Sequence, residues 1–316
     1  MAITNQTGIP NASGYNAAAL LKRKIFSDTL LARFSCGSII GNISNMDVLS
    51  KELKDCGDEV IFRNTPRAEI FDYVKGQELE VSTLEMTPIS MKIDKAKYWN
   101  IFAETTELKQ DCDLKRWLTE FSDERAYEMT QMIDRQVLND MPYQVAPCNK
   151  GRMAGALSGA YDMGAGGAPV AITPANIIIK ISEASAVLDE ACIPEKDRFI
   201  VLPVQAKPVL MASPLTNACV SGLAKSPLFG GEIPDIMGFR ILWTNSLPLR
   251  IESGRIAYTI PFGVKMATGF HTQLNNTRMI EEDARVFGSY WQGLQLYGYK
   301  VLRPEALGIL YATFTV

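Results

Sequence analysis

The chain has 316 residues, 47% hydrophobic and 21% charged, with 32 Lys and Arg against 35 Asp and Glu for a formal net charge of −3. That is the composition of a folded chain of about two domains at ~100–200 residues each, and it excludes a disordered, collagenous or disulfide-scaffold protein. The charge has the wrong sign for a strongly basic nucleic-acid binder, the single histidine (His271) excludes a histidine-built metal site, and the six cysteines form no C-x-x-C pair, as expected of reduced, mostly buried thiols in a protein made in a cytosol.

Residues 1–16 (MAITNQTGIPNASGYN) are polar and turn-rich, a segment expected to take order from neighbouring subunits. The presence of Met1 argues against removal of a long propeptide. Residues 17–34 are amphipathic and carry Lys22, Arg23, Lys24 and Arg33. They lack the Ser-rich lead of a transit peptide and the unbroken apolar core of a signal peptide. A helix packing Leu21, Phe26, Leu30 and Phe34 against protein is expected, and no run reaches the ~18–20 apolar residues of a membrane span.

Residues 59–102 read as β-structure. Residues 59–63 (EVIFR) and 70–74 (IFDYV) are rich in β-branched and aromatic side chains, with a breaker at Asn64-Thr65-Pro66 between them. Ile89, Met91 and Ile93 then alternate with Ser90, Lys92 and Asp94, the period-2 pattern of a half-buried strand. A ribbon with so few apolar residues is marginal in water and needs a second surface to lean on.

Residues 113–141 give the clearest helix, with Leu114, Trp117, Leu118, Phe121, Met129, Met132, Ile133 and Val137 on one face, acids at its start and Pro142 as its stop. A Gly/Ala-rich connection over 148–169 is expected to be flexible. The next helix is expected to have Thr173 as N-cap, Pro174 in its first turn, Ile177, Ile181, Ala184 and Leu188 inward, and Pro194 as its close. Strands follow at 199–204, 238–243, 256–260, 292–301 and 308–314.

Little in this chain is built for chemistry. The loop containing Gly164, Gly166 and Gly167 has Pro169 where a dinucleotide fingerprint needs its third glycine, and no Lys-Ser/Thr follows for a phosphate loop. His271 with a cysteine could in principle form a nucleophile pair, but no cysteine has a recognisable nucleophile context. Glu281, Glu282 and Asp283 lack the spacing of a calcium loop and read as a solvated face. Lys22, Arg23 and Lys24 read equally well as a solvated cluster or an electrostatic contact.

Four stretches, taken in order, resemble the major capsid proteins of tailed bacteriophages, which share the Hong Kong 97 fold. Residues 296–307 (LYGYKVLRPEAL) are similar to their Y-G-x-K-V-x-R-P-E-A close, and 188–203 (LDEACIPEKDRFIVLP) to their L-D-E-x-x-V-P-x-x-x-R-x-x-V-x-P passage. Residues 93–99 (IDKAKYW) precede the long helix as in the family, and 236–248 (IMGFRILWTNSLP) resemble G-F-x-V-x-x-S-N-x-L-P. The resemblance as a whole covers roughly residues 55–314, in the family's order.

The resemblance implies an α+β Hong Kong 97-like fold. It places an N-terminal arm at 1–50 and an extended β-hairpin loop at 51–100. A peripheral domain with a spine helix would take 101–204 and 266–316, and an axial domain 205–265. It further implies a non-enzymatic virion protein without cofactors, assembled in the bacterial host cytoplasm into hexamers and pentamers around double-stranded DNA. Its partners would be a separate scaffolding protein, a portal at one vertex and, in some relatives, a decoration protein; contact with DNA would be weak and no membrane would be involved. Arg63, Arg67, Asp72, Lys75 and Glu78 of the hairpin, and Lys22, Arg23 and Lys24 of the arm, are the expected intersubunit contacts. Some relatives cross-link the hairpin through a Lys–Asn isopeptide; Lys75 is suitably placed, but no acceptor or catalyst matches and no cross-link is expected. A same-fold nanocompartment enclosing a cargo enzyme is the alternative, and a hydrolase using His271 and a cysteine is the alternative of another class.

Overall fold

In the computed structural model the described residues are 38–45, 59–63, 70–72, 75–76, 78, 88–104, 114–213, 235–252, 254–280 and 287–315. The expected helix over 17–34 and the clusters at Lys22–Lys24 and Glu281–Asp283 lie outside them, as does Arg67. The chain clusters into two units. Within the described residues the smaller takes 99–104, 114–126, 277–280 and 287–293, and the larger takes the rest.

The larger unit is built on a six-stranded mixed sheet of strands β4 (Val170–Ile172), β5 (Arg198–Pro203), β6 (Phe239–Thr244), β7 (Leu249–Glu252), β8 (Arg255–Val264) and β11 (Leu307–Phe314). The order is β4-β11-β8-β5-β6, with β7 also paired to β8. β11 runs parallel to β4 and antiparallel to β8, and β5 runs parallel to β6. All six residues of β5 are buried, which accounts for the apolar run Phe199–Pro203 after Arg198 in a strand between two neighbours. The sheet draws strands from both sides of the expected 204/205 boundary, with β11 among them. β5 needs hydrogen-bonding partners on both sides, and β6 and β8 supply them from across that boundary. A separate three-stranded sheet joins β3 (Lys95–Glu104), β10 (Gly288–Val301) and β9 (Thr268–Ile280) in the order β3-β10-β9.

Helix α2 (Leu114–Gln144) has 31 residues and spans ~46 Å at 1.5 Å per residue. It continues past Pro142, the expected stop. A proline in a last turn forfeits one backbone bond only, and that turn is held elsewhere: Lys150 Nζ donates to the Pro142 carbonyl, and Gln144 Oε1 accepts the Val301 N–H. Met129, Ile133, Val137, Leu138 and Met141 are buried, whereas Met132, expected on the same face, is exposed. Helix α1 (Ile40–Ile43) is clasped from two sides. Asp134 of α2 accepts both Ser38 Oγ and the Ile39 N–H at 2.9 Å, and Thr268 Oγ1 donates to the Ile43 carbonyl. Burial raises the Asp134 pKa, and the two hydrogen bonds draw it back down.

Helix α3 (Ile177–Glu190) starts three residues later than expected. The side chain of Asn176 accepts the Thr173 N–H and donates to the Ala171 carbonyl, which holds 173–176 as a turn, and Asn176 takes the N-cap position. Its inward face is as expected, with Ile177, Ile181, Ala184 and Leu188 buried. Helix α4 (Ala206–Met211) follows β5.

The turn from α3 into β5 closes on Arg198, whose side chain has no exposed surface. Its guanidinium pairs with Asp189 at 2.6 Å and donates to Ser185 Oγ and to the carbonyls of Ile193 and Pro194. Truncating it frees two carbonyls and opens a cavity, while the half-exposed Asp189 can rehydrate. Arg198→Ala is expected to lower unfolding stability by about 2–4 kcal/mol in a urea titration. A loss below about 1 kcal/mol would show that the turn holds without its guanidinium.

Candidate assembly surfaces

The hairpin expected from the sequence is present as a two-stranded sheet of β1 (Glu59–Arg63) and β2 (Pro88–Lys92), antiparallel, with Val60 opposite Met91 and Arg63 opposite Pro88. Alternation sorts its faces. Val60, Phe62 and Met91 form a small apolar cluster, while Ile61 points to solvent. Residues 70–72, expected in a strand, are not in one, and Ile70 and Phe71 are exposed. The chain turns at 75–76, where Gly76 has φ +93°. Asp72, Lys75 and Glu78 are all exposed.

The ribbon's root is tied to the rest of the larger unit. Lys95 pairs with Asp140 of α2 at 3.0 Å, a partly exposed pair worth under about 1 kcal/mol. The stronger constraint is at Gly298 of β10, where a Cβ would lie 2.8 Å from the Lys92 carbonyl and 3.1 Å from Ile93. The glycine of the Y-G-x-K stretch therefore lets the hairpin approach β10 closely. Related contacts recur in the smaller unit, where Trp99 of β3 covers Gly293 and Phe102 covers Gly288, and the Phe102 ring meets Tyr290 at 4.9 Å with the two rings tilted by 44°. An aromatic ring over a strand glycine replaces the side chain the glycine lacks.

The Gly/Ala-rich connection over 148–169 is not the loose linker expected. Ala154 bridges to Tyr161 and Ala165 to Ala168. Asn149 donates to the carbonyls of Glu305 and Leu307, and the Tyr311 N–H donates to the Met163 carbonyl. Gly164, at φ +75°, lies so close to the Tyr311 carbonyl that no Cβ fits. Glu190, at the end of α3, accepts the N–H groups of Leu157 and Ser158 and the Ser158 hydroxyl. The Ser158 hydroxyl, then the two backbone N–H groups, hold its carboxyl below the ordinary glutamate value. Met153 and Leu157 are left exposed on this fixed loop. The composition shows the glycines, but the partners that rigidify this loop come from residues about thirty to more than a hundred and fifty positions away.

His271 is half-buried in β9, and desolvation lowers its pKa. Cys148 is half-buried and Cys192 is exposed, which corrects the expectation of buried thiols for these two; the other four cysteines lie outside the described residues. Among the described residues no group of three or more His, Cys, Asp and Glu is arranged to hold a metal, and no helix is long and apolar enough to cross a membrane.

No family model matches the chain, and no curated protein matches its sequence. Solved structures do match from end to end. A structure from Mycobacterium phage Che8 is 19% identical with a TM-score of 0.70, covering 93% of this chain and 96% of that one. The capsid structure of the cyanophage P-SCSP1u is 17% identical with a TM-score of 0.69 and 98% coverage of both chains. The mature capsid of bacteriophage PhiM1 is 14% identical with a TM-score of 0.66, covering 93% and 92%. The chain therefore shares its fold with phage capsid structures.

The Glu190 clamp has a definite pH dependence. A carboxyl whose folded pKa is depressed stabilises the fold fully above its unfolded pKa, and that contribution is lost as pH falls through the folded value. Proteolysis within 154–161 is therefore expected to rise only below the ordinary glutamate range. Glu190→Gln should make cleavage faster at neutral pH and nearly independent of pH. Identical pH profiles for the two proteins would rule out the clamp.

Proposed function

We propose that this chain is the structural subunit of an icosahedral shell, the head of a tailed bacteriophage enclosing double-stranded DNA. The observation that carries the reading is the end-to-end correspondence with solved phage capsids, over more than nine-tenths of both chains. The four sequence stretches that resemble Hong Kong 97-type capsid proteins support it independently. On this reading α2 is the spine of a peripheral domain together with the β3-β10-β9 sheet. The six-stranded sheet is the body of the axial domain, and β1 and β2 are the root of the extended hairpin.

The physical logic is that of a surface. One chain must accept both five- and six-fold surroundings, through contacts that close into rings. Each contact can be weak, because each subunit makes many at high effective concentration. A net charge of −3 leaves a wall that contains a polyanion without gripping it. Self-association into hexamers and pentamers is the primary interaction, with a scaffolding protein and a portal as the further partners, in a virion assembled in the host cytoplasm.

Electron microscopy of purified particles tests the reading directly: closed shells are expected, and a chain that stays dispersed under every assembly condition would overturn it. Nuclease-protected DNA inside would separate a phage head from a nanocompartment, which would hold a protein cargo. A single monomer band after boiling in SDS is expected, where a ladder would reveal covalent cross-links. The hairpin charges supply a further prediction. Arg67→Glu with Lys75→Glu should reduce the assembled fraction and make assembly more sensitive to salt. Unchanged sedimentation profiles from low to high salt would remove these charges from the interface.

A further inference from the structure

Segment 38–45 carries no charged residue, and it is fastened to the larger unit at two points of different chemistry. At its start Asp134 of α2 accepts Ser38 Oγ and the Ile39 N–H, both at 2.9 Å. At its end only neutral groups meet: Thr268 Oγ1 donates to the Ile43 carbonyl at 2.7 Å, and the Asn45 N–H donates to the Thr268 carbonyl at 2.9 Å. Ile39, Ile40, Ile43 and Ser44 are buried, while Gly41 and Asn42 between them are exposed. A glycine inside a helix of four residues makes this the weakest point of the backbone.

Asp134 is the less secure of the two fastenings. It is 3% exposed, and a carboxylate buried on two hydrogen bonds without an opposite charge keeps most of its desolvation cost. The charged groups of the surrounding elements do not offset that cost. On α2, Arg135 is exposed and Asp140 pairs with Lys95; on β9, Thr268 and Phe270 are uncharged and His271 lies further along; on β10, Tyr297 donates to Gln136. Among the described residues none of these charges enters the titration of Asp134. Burial is the largest influence and raises its pKa, and the Ile39 and Ser38 hydrogen bonds oppose it. Losing the charge does not break the contact. A neutral carboxyl still accepts the Ile39 N–H through its carbonyl oxygen, and its own O–H can donate to Ser38 Oγ, because a hydroxyl accepts as well as donates.

We propose that Asp134 is a charge-sensitive latch on segment 38–45: when ionised it lets Ser38 and Ile39 leave α2, while Thr268 keeps Ile43–Asn45 on β9 and the backbone pivots at Gly41 and Asn42. The state with the raised pKa binds the proton more tightly, so the closed latch is strongest when Asp134 is neutral. That strength is full below the ordinary aspartate value and declines as pH rises through the raised folded value. At neutral pH the latch is at its weakest, and Ile39 opens locally while Asn45 stays closed. The direction is the reverse of the Glu190 clamp, whose carboxyl holds best when charged. The latch belongs to the single chain and does not depend on the shell reading; it controls where the chain enters the larger unit.

Hydrogen exchange of the full-length chain, resolved to single amides and corrected for intrinsic rates, reads the two fastenings separately. From neutral pH down to about pH 4, protection of the Ile39 amide should rise at least ~threefold while that of Asn45 stays constant. Asp134→Asn keeps an acceptor for the Ile39 N–H and a donor for Ser38 Oγ without the charge. At neutral pH it should protect Ile39 at least ~threefold better than the wild type, and it should remove the pH dependence. Ile39 protection that is flat with pH in the wild type, or that falls on acidification, overturns the proposal. An equal change at Ile39 and Asn45 also overturns it, because the segment then moves as one piece. So does an Asp134→Asn variant no better protected at Ile39 than the wild type at neutral pH. If that variant does not fold, the wild-type series decides alone: a rise confined to Ile39 supports the latch, and any other profile overturns it.

Discussion

The strand on which the larger unit depends is the last one in the chain. β11 is buried at seven of its eight positions and runs between β4 and β8 in the interior of the sheet. The glycine-rich connection lies against it through Gly164 and Met163, Asn149 holds the carbonyls at its start, and α3 contacts it. At Gly308, directly opposite Phe262, the aromatic ring occupies the space where a Cβ would be. A strand buried on both faces cannot exchange its ladder for water, so the segments that meet on β11 are ordered together or not at all.

Close approach by glycine is the recurring device elsewhere. Gly298 admits the hairpin root, Gly288 and Gly293 admit aromatic rings, and Gly263 brings β8 against the backbone at Ala306 and Leu307. Each contact places two strands nearer than side chains on both would allow. The resemblance stretches gain a physical meaning from this. The glycine in 296–307 is where hairpin and sheet meet, and the arginine in 188–203 is the buried Arg198 that closes a turn. Both residues serve the internal frame of the larger unit.

Exposed apolar and charged groups are found at three places in the larger unit. The hairpin carries its charges and exposed Ile61 at one place, the clamped loop presents Met153 and Leu157 at another, and the β7–β8 tip extends an apolar face at a third. Under the shell reading proposed above, contacts this small would act only in combination.

Local pattern was legible wherever its cause was local. The period-2 alternation of Ile89, Met91 and Ile93, the inward face of α3 and the apolar run of β5 all follow from side-chain spacing, and the structure keeps them. The errors arose where particular hydrogen-bond partners, near or far, override the local pattern. Pro142 does not end α2, because Val301 and Lys150 hold its last turn; Asn176 displaces Thr173, because its side chain binds backward; and 148–169 is rigid, because Glu190, Glu305, Leu307 and Tyr311 hold it. The sequence by itself determined the composition class, most of the elements and the family likeness, since these depend on residue type and spacing. Only the tertiary structure decided which strands share a sheet and where apolar surface is left uncovered, because hydrogen-bond partners and burial are properties of segments far apart in the chain.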